Sequence, residues 1–351
     1  MSENWNPASA SLSRGDATNR VPAALRTATT RLPRSDQLAT PIAFCIFNRP
    51  DLTERVFQAI ARQRPRHLLV ISDGPRADRP AEAELVARCR EIATSVDWEC
   101  DLRVEFAESN LGCKTRINSG LTWAFEQHEE LIILEDDCLP EDSFFAYAEA
   151  MLARYRDDRR VMMISGDQFR PQVDAPYDYY FSKWAHIWGW ASWRRAWRLR
   201  DEQLATWPEA RRLGWLETYF ETDRERAHWE AVFDAVHEGR IDTWDFGWMY
   251  SCWLQSGWTV LPSVNLVTNI GFDARATHTT DADSLLSRLP TGKLEELRHP
   301  PAVVRDRVAD RWTLDNIFLP AAETPTRPPW LRRRWRQLRH LVSRSGTRRA
   351  A

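Results

Sequence analysis

The sequence predicts a mixed α/β protein built on a largely parallel sheet with helices on both faces. Three observations lead there. Four short apolar runs recur through residues 42–134, a turn signal and an amphipathic helical stretch follow each of the first three, and the fourth ends in three consecutive acids. With 351 residues, 43% hydrophobic and 28% charged, the chain is long and apolar enough to bury a sizeable core.

Residues 1–38 are rich in Ser, Ala, Thr, Arg and Pro without apolar periodicity and read as a flexible leader, so order is expected from Pro41. Ile42-Ala-Phe-Cys-Ile-Phe47 is the first strand, ended by Asn48-Arg-Pro50. Asp51 and Glu54 then have the spacing of a capping box that opens a helix through about residue 63. His67-Leu-Leu-Val-Ile-Ser72 repeats the pattern, with a turn at Asp73-Gly-Pro75 and a helix over about 81–96. Leu102-Arg-Val-Glu-Phe106 is the third strand, followed by Asn110-Leu-Gly112 and a helix over 114–128. Leu131-Ile-Ile-Leu134 is the fourth, ending on Glu135-Asp136-Asp137. Ligands of such sheets bind beyond the carboxyl ends of the strands, which places Asn48-Arg49, Asp73, Asn110 and residues 135–137 along one rim. A helix over 142–155 and a strand over 161–165 lead into an aromatic-rich half, where most of the 18 tryptophans lie between Trp184 and Trp258. The domain reading is a leader (1–38), a catalytic unit (39–320, with a first half at 41–150 and a second at 151–320) and a linker with a basic tail (321–351).

A formal net charge of −2 argues against a nucleic-acid partner. Six cysteines without a CxxC pair suggest neither a zinc site nor a disulfide framework, which makes a reducing cytoplasm the expected location. No apolar run approaches the ~18 residues that a membrane span needs. In the tail, Trp330, Leu331, Trp335, Leu338, Leu341 and Val342 would share one helix face among arginines, a composition suited to lying on an anionic membrane surface. The inner face of the membrane is then a peripheral site, and a solvated or docked tail is the plainer alternative.

Three adjacent carboxylates repel one another unless a cation screens them. In an extended segment Glu135 and Asp137 would share a face, with Asp136 turned away. Oxygen ligands of this kind suit Mg2+ or Mn2+, and a metal there could bridge a diphosphate and neutralise its charge as it leaves. The bland reading is an acidic loop in water.

The set Phe47-Asn-Arg-Pro50, Ser72-Asp-Gly74, Asn110-Leu-Gly-Cys-Lys114 with Asn118-Ser-Gly120, and Ile132-Ile-Leu-Glu-Asp-Asp137 resembles the GT-A glycosyltransferases. The family-two-like enzymes and the N-acetylglucosaminyltransferase that begins complex N-glycans are the nearest in pattern, over about residues 41–150. The resemblance implies a GT-A-type fold, a nucleotide-sugar donor (a UDP-sugar by analogy) and a divalent metal, Mn2+ or Mg2+. It implies that Asp137 ligates the metal, with Glu135 and Asp136 near the ribose and donor sugar. Arg49 and Asp73 would lie near the base, and Asn110, Gly112 and Lys114 near the nucleotide. The triplet departs from the usual motif by opening on Glu, which is longer than Asp by one methylene.

Thr243-Trp-Asp-Phe-Gly-Trp248 resembles the motif that supplies the general base in inverting members. Asp245 is the chosen base, Asp242 the runner-up, and Trp244 would stack on the acceptor; a capping Asp beside core tryptophans is the structural alternative. Ala276-Thr-His278 resembles the ending in which a C-terminal histidine completes the metal site, which makes His278 a second candidate ligand. Trp184-Ala-His-Ile-Trp-Gly-Trp190 resembles the acceptor loop, with Trp188 and Trp190 as a sugar platform and Gly189 letting backbone approach a ligand. A hydrophobic hairpin packed on the sheet would read the same way. The expected activity is therefore an inverting transfer of a sugar to a hydroxyl of a glycan or lipid-linked acceptor. The competing readings are a non-catalytic carbohydrate- or membrane-binding protein on the same fold, and a sugar-phosphate nucleotidyltransferase, whose glycine-rich loop is missing near Asn48-Arg-Pro50.

Overall fold

The computed structural model describes residues 29–33, 35–171, 176–272, 286 and 289–319. In chain order its elements are β1 (Thr29–Arg31), β2 (Ile42–Ile46), α1 (Pro50–Gln63), β3 (His67–Ser72), α2 (Glu82–Thr94), β4 (Asp101–Phe106) and α3 (Cys113–Gln127). Next come β5 (Glu130–Glu135), β6 (Cys138–Pro140), α4 (Asp142–Tyr155), β7 (Val161–Ser165), β8 (Tyr179–Ser182), β9 (Trp190–Trp193) and α5 (Arg194–Trp197). The second half continues through α6 (Trp207–Arg212), α7 (Trp215–Tyr219), α8 (Asp223–His237), α9 (Asp245–Leu254), β10 (Trp258–Pro262), β11 (Val267–Asn269), β12 (Glu296–Arg298) and α10 (Arg307–Thr313), and a π turn (Leu314–Phe318) ends the described chain.

Eight strands form the central sheet in the order β4-β3-β2-β5-β9-β7-β10-β8. β4, β3, β2 and β5 are mutually parallel, as are β7 and β10. β9 runs antiparallel to both β5 and β7, so those two point the same way; β8 is antiparallel to β10. The mostly parallel sheet expected from the alternating strands and helices is thus present. All of β2 is buried, and its alternate residues face opposite cores. Ile42 and Phe44 belong to one core with Phe144, Phe145 and Met151 of α4. Ala43 and Cys45 belong to another with Ile117 and Leu121 of α3, Trp197 of α5 and Trp248 of α9. A strand covered on both faces must be apolar on both, which is why these runs are continuous rather than alternating. A third core gathers Trp184, Trp207, Trp229, Phe233 and Trp253 around α6–α9.

Several local expectations differ from the structure. Residues 29–31 of the supposed leader form β1, paired antiparallel with β12, and Leu32 and Leu38 are buried. That composition concealed a strand because its register comes from a distant partner rather than from its own periodicity. The first helix opens on Pro50, with Arg49 as its N-cap residue and no side-chain cap. Asp51 therefore lies inside the first turn, where its charge suits the helix dipole but closes no capping box. Among the described residues no helix is long and apolar enough to cross a membrane. The basic tail lies outside the described residues.

Gly120 lets α3 lie directly on the sheet, because a Cβ there would meet Ile71 Cγ2 of β3 at 2.3 Å. Ile71 is β-branched and fully packed, so it has little room to yield. Gly120→Ala is expected to lower stability by about 1–3 kcal/mol, read as a lower denaturant midpoint at unchanged slope.

Candidate active site

The carboxyl ends of β2, β3, β5 and β7 meet at one rim. β5 delivers the acids there, but the chain turns at residues 136–137 instead of continuing extended. The turn leads into β6, which pairs with β11 so that Cys138 opposes Asn269. Consequently Asp136 and Asp137 do not alternate. Both reach one nitrogen, Arg49 Nη2, which contacts Asp136 Oδ1 and lies 2.9 Å from Asp137 Oδ2. The backbone N–H of Phe47 also donates to Asp136 Oδ2 at 3.3 Å. Arg49 therefore sits with the triplet rather than with Asp73.

The electrostatics are those of crowded acids short of positive charge. Burial pushes the Glu135 carboxyl well up from its ordinary range, and Asp137 and Asp136 add to the shift. Burial also raises Asp136, in spite of the opposing pull of Arg49. Burial disfavours the charge on Arg49 itself, but Asp136 and Asp137 outweigh it and hold the guanidinium charged. Cys113, the first residue of α3, maps the surroundings: burial pushes its thiol up, and Glu135, Asp245, Asp242 and Asp137 push it further. The candidate base is thus close enough to the triplet to act on the same thiol, and it acts on Glu135 as well.

Asp245 opens α9, half-buried, while Asp242 is exposed. Its Oδ1 accepts from Thr243 Oγ1 and, at 2.9 Å, from the backbone N–H of Phe246. One oxygen is thus fixed at the positive end of a helix.

Asp73 holds a different position. It is 5% exposed, and its carboxylate accepts four bonds: from Gly74 N (2.8 Å), Leu111 N (2.8 Å), Gly112 N (3.1 Å) and Asn110 Nδ2 (2.9 Å). Arg90 joins the same loops, donating to Asp73 O at 3.0 Å and Ala107 O at 2.7 Å. Asp73, Asn110 and Gly112 are therefore together, but as one bolt between the ends of β3 and β4. Gly112 has φ +82°, and a Cβ there would meet nothing within 4 Å, so its backbone borders open space at the start of α3. Lys114 is the second residue of that helix and is half-buried.

The aromatic candidates separate. Trp190 is 1% exposed and stacks on Trp244, itself 5% exposed, at 5.8 Å and 21°. Both belong to the core under α9, so neither offers a face to a sugar. β9 is a central strand, and the core on that side claims the side chain of Trp190. Gly189 has φ +71°, and a Cβ there would meet Val267 at 2.7 Å. The close approach at Gly189 is to a β11 side chain. Trp188 alone stays half-buried, edge-on to Phe272 (5.5 Å, 89°) and 5.0 Å from Phe169. His278 lies outside the described residues.

Two residues that the motifs did not single out belong to this rim. Asp167 follows β7, is fully buried and accepts from Trp188 N at 2.9 Å, while its Oδ1 has no partner among the described residues. Burial raises its carboxyl well above the usual range. His186 stacks on Phe169 at 4.3 Å, has no partner for either ring nitrogen among the described residues, and is pushed down to about 3 by burial. An acid two residues past a strand parallel to β5 was a usable signal for Asp167; nothing marked His186.

Among the described residues no group of three or more His, Cys, Asp or Glu side chains is arranged to hold a metal ion. The donor chemistry nevertheless fits a hard divalent cation. Glu135, Asp136 and Asp137 are consecutive carboxylates with one arginine on the last two, and Asp245 is near enough to act on Glu135; oxygen ligands with a deficit of positive charge are what Mg2+ or Mn2+ selects.

No family model matches the sequence, and no curated protein does. Among solved structures, the chain is similar to a mannosyltransferase of Pyrobaculum calidifontis in complex with GDP-Man and Mn2+ (18% identity, TM-score 0.32, covering 45% of each chain). It is also similar to a mannose-1-phosphate geranyltransferase of Thermus thermophilus (13%, 0.36, covering 66% of this chain and 76% of that one). A third is a UDP-glucose pyrophosphorylase complexed with UDP-glucose (9%, 0.33, covering 64% and 90%). The chain thus spans less than half the length of the first. At these identities and scores the fold assignment rests on the strand order itself.

Asp73→Asn exchanges an acceptor for a donor facing Asn110 and Gly112. The expected cost is about 1.5–3 kcal/mol in thermal or denaturant unfolding, with faster amide exchange at Leu111 and Gly112.

Proposed function

We propose that this chain is a GT-A-type glycosyltransferase that moves a sugar from a nucleoside-diphosphate donor to a hydroxyl acceptor with inversion at the anomeric carbon. The observation that carries the reading is the acidic triplet Glu135, Asp136 and Asp137 at the carboxyl end of a central parallel strand, with Arg49 on Asp136 and Asp137 and with Asp245, at the start of α9, near enough to act on Glu135. The order of the motifs around that rim supports it.

In this reading the start of α3 and Lys114 accept the donor's phosphates, with the open space beside Gly112 giving access, since a helix N-terminus and a cation suit an anion there. A divalent cation held by Asp137, with Asp136 beside it and His278 as a further candidate, would neutralise the charge on the departing diphosphate. The acceptor hydroxyl approaches Asp245 and gives its proton to Oδ2, while Thr243 and the Phe246 N–H hold Oδ1 in place. The acceptor oxygen forms the new bond to the anomeric carbon as the bond to the diphosphate breaks, and the nucleoside diphosphate leaves with that electron pair. Trp188, the half-buried aromatic of the rim, is the remaining candidate to contact the acceptor.

Calorimetric titration of the protein with a panel of nucleoside diphosphates and Mn2+ should find one tight binder, lost in Asp137→Ala. Asp245→Asn should leave that binding within a few-fold while lowering kcat by about 10²–10⁴. Release of pyrophosphate instead of a nucleoside diphosphate during turnover would identify a nucleotidyltransferase. Failure of folded protein to bind any nucleotide would sink both enzyme readings.

A further inference from the structure

Arg49 is placed more tightly than recognition of a base requires. Its carbonyl accepts from Leu52 N (3.1 Å), Thr53 N (2.9 Å) and Thr53 Oγ1 (2.9 Å), and Pro50 fixes the next φ. The side chain is 16% exposed, and a single nitrogen bridges Asp136 and Asp137. Gly271 closes over this arrangement, because a Cβ there would lie 2.3 Å from Asp137 Oδ2 and 2.8 Å from Arg49 Nη1. The next residue back, Ile270, donates its N–H to Asp137 O at 2.7 Å. Three segments, the ends of β2, β5 and β11, are thus locked around one ion pair. The oxygen that it occupies, Asp137 Oδ2, belongs to the residue proposed to ligate the metal.

We propose that Arg49 is the resident counter-ion of the site: it competes with the metal for Asp137 and recognises the donor's diphosphate once it is released. The inference rests on the transferase reading of the site. The charges favour the exchange. A guanidinium and a divalent cation on the same carboxylate oxygen, Asp137 Oδ2, would lie close together, and like charges so close repel strongly even at an effective dielectric of about 20. Asp136 gives Arg49 a second anchor, so the guanidinium need only rotate off Asp137 to turn its free N–H groups outward. A planar fork fixed at one edge is well suited to the two phosphates of a nucleoside diphosphate.

The consequence is a pair of effects of opposite sign. In Arg49→Met, which keeps the length of the stem and removes the charge, Mn2+ measured by electron paramagnetic resonance without nucleotide should bind about 5–150-fold more tightly than in the wild-type protein. The same variant at saturating Mn2+ should bind the nucleoside diphosphate at least about tenfold more weakly, measured by calorimetry. A residue that merely supports the metal site would weaken both. Arg49→Lys keeps the charge on a shorter side chain that holds the two carboxylates less closely, so it should shift Mn2+ affinity in the same direction by less; it serves if the Met variant does not fold. Mn2+ affinity that is unchanged or weaker in the folded variants overturns the proposal, as does nucleotide binding that survives undiminished. A wild-type protein that binds no nucleoside diphosphate would instead remove the transferase reading, which the Mn2+ titration alone does not touch.

Discussion

The constraint on which the site depends is the burial of acids at the end of a central strand. β5 lies between β2 and β9, covered on both faces, and delivers Glu135, Asp136 and Asp137 where water cannot fully screen them. Such an arrangement costs stability unless a cation is near. The chain supplies one from the neighbouring parallel strand, and much of the local structure serves that pairing: Pro50 starts α1 at once, β6 folds back onto β11, and Gly271 leaves room where another residue would collide. The remaining excess of negative charge is what the transferase reading assigns to a bound cation.

Around this centre the protein divides its labour. The β3 and β4 loops are bolted by Asp73 and Arg90, whose hydrogen bonds run almost entirely to backbone. The second half is held by indole packing instead. Trp190, Trp197, Trp244 and Trp248 tie α5 and α9 to the sheet, and Trp184, Trp229 and Trp253 tie the outer helices to α9. Asp245 is therefore carried on a helix anchored from both sides, which fixes its distance from β5.

The sheet and its helices were legible because each strand is short, apolar and punctuated by Gly, Pro, Asn or Asp. The rim was legible for the same reason, since parallel strands that end together bring their following residues together. What could not be read were choices made by tertiary partners. The strand at residues 29–31 depends on β12; the turn at residues 136–137 depends on β11; and the pairing of Arg49 with the acids depends on that turn. Tryptophan was ambiguous throughout. Composition cannot separate an indole that stacks on a ligand from one that stacks on another indole, and of Trp188, Trp190 and Trp244 only the first stays half-buried, at the margin of a core. Asp167 and His186 lacked a motif, and only burial without a partner distinguishes them.

The reversed direction of β9 has a bearing on how such a protein could change. Every other strand beside β5 or β7 in the sheet runs with them, so its entry lies at the far edge, away from the rim. β9 alone between them begins at the rim, and Gly166 N bonds Gly189 O there at 2.8 Å. The segment from 183 to 189 thus arrives beside the acids without needing a crossover helix of its own. Lys183 and Trp184 in it are committed to the third core, whereas the half-buried Trp188 stands nearer the rim. Under the transferase reading, variation confined to the Trp188 end of that entrance would retune which acceptor is admitted while leaving the acids and their arginine untouched.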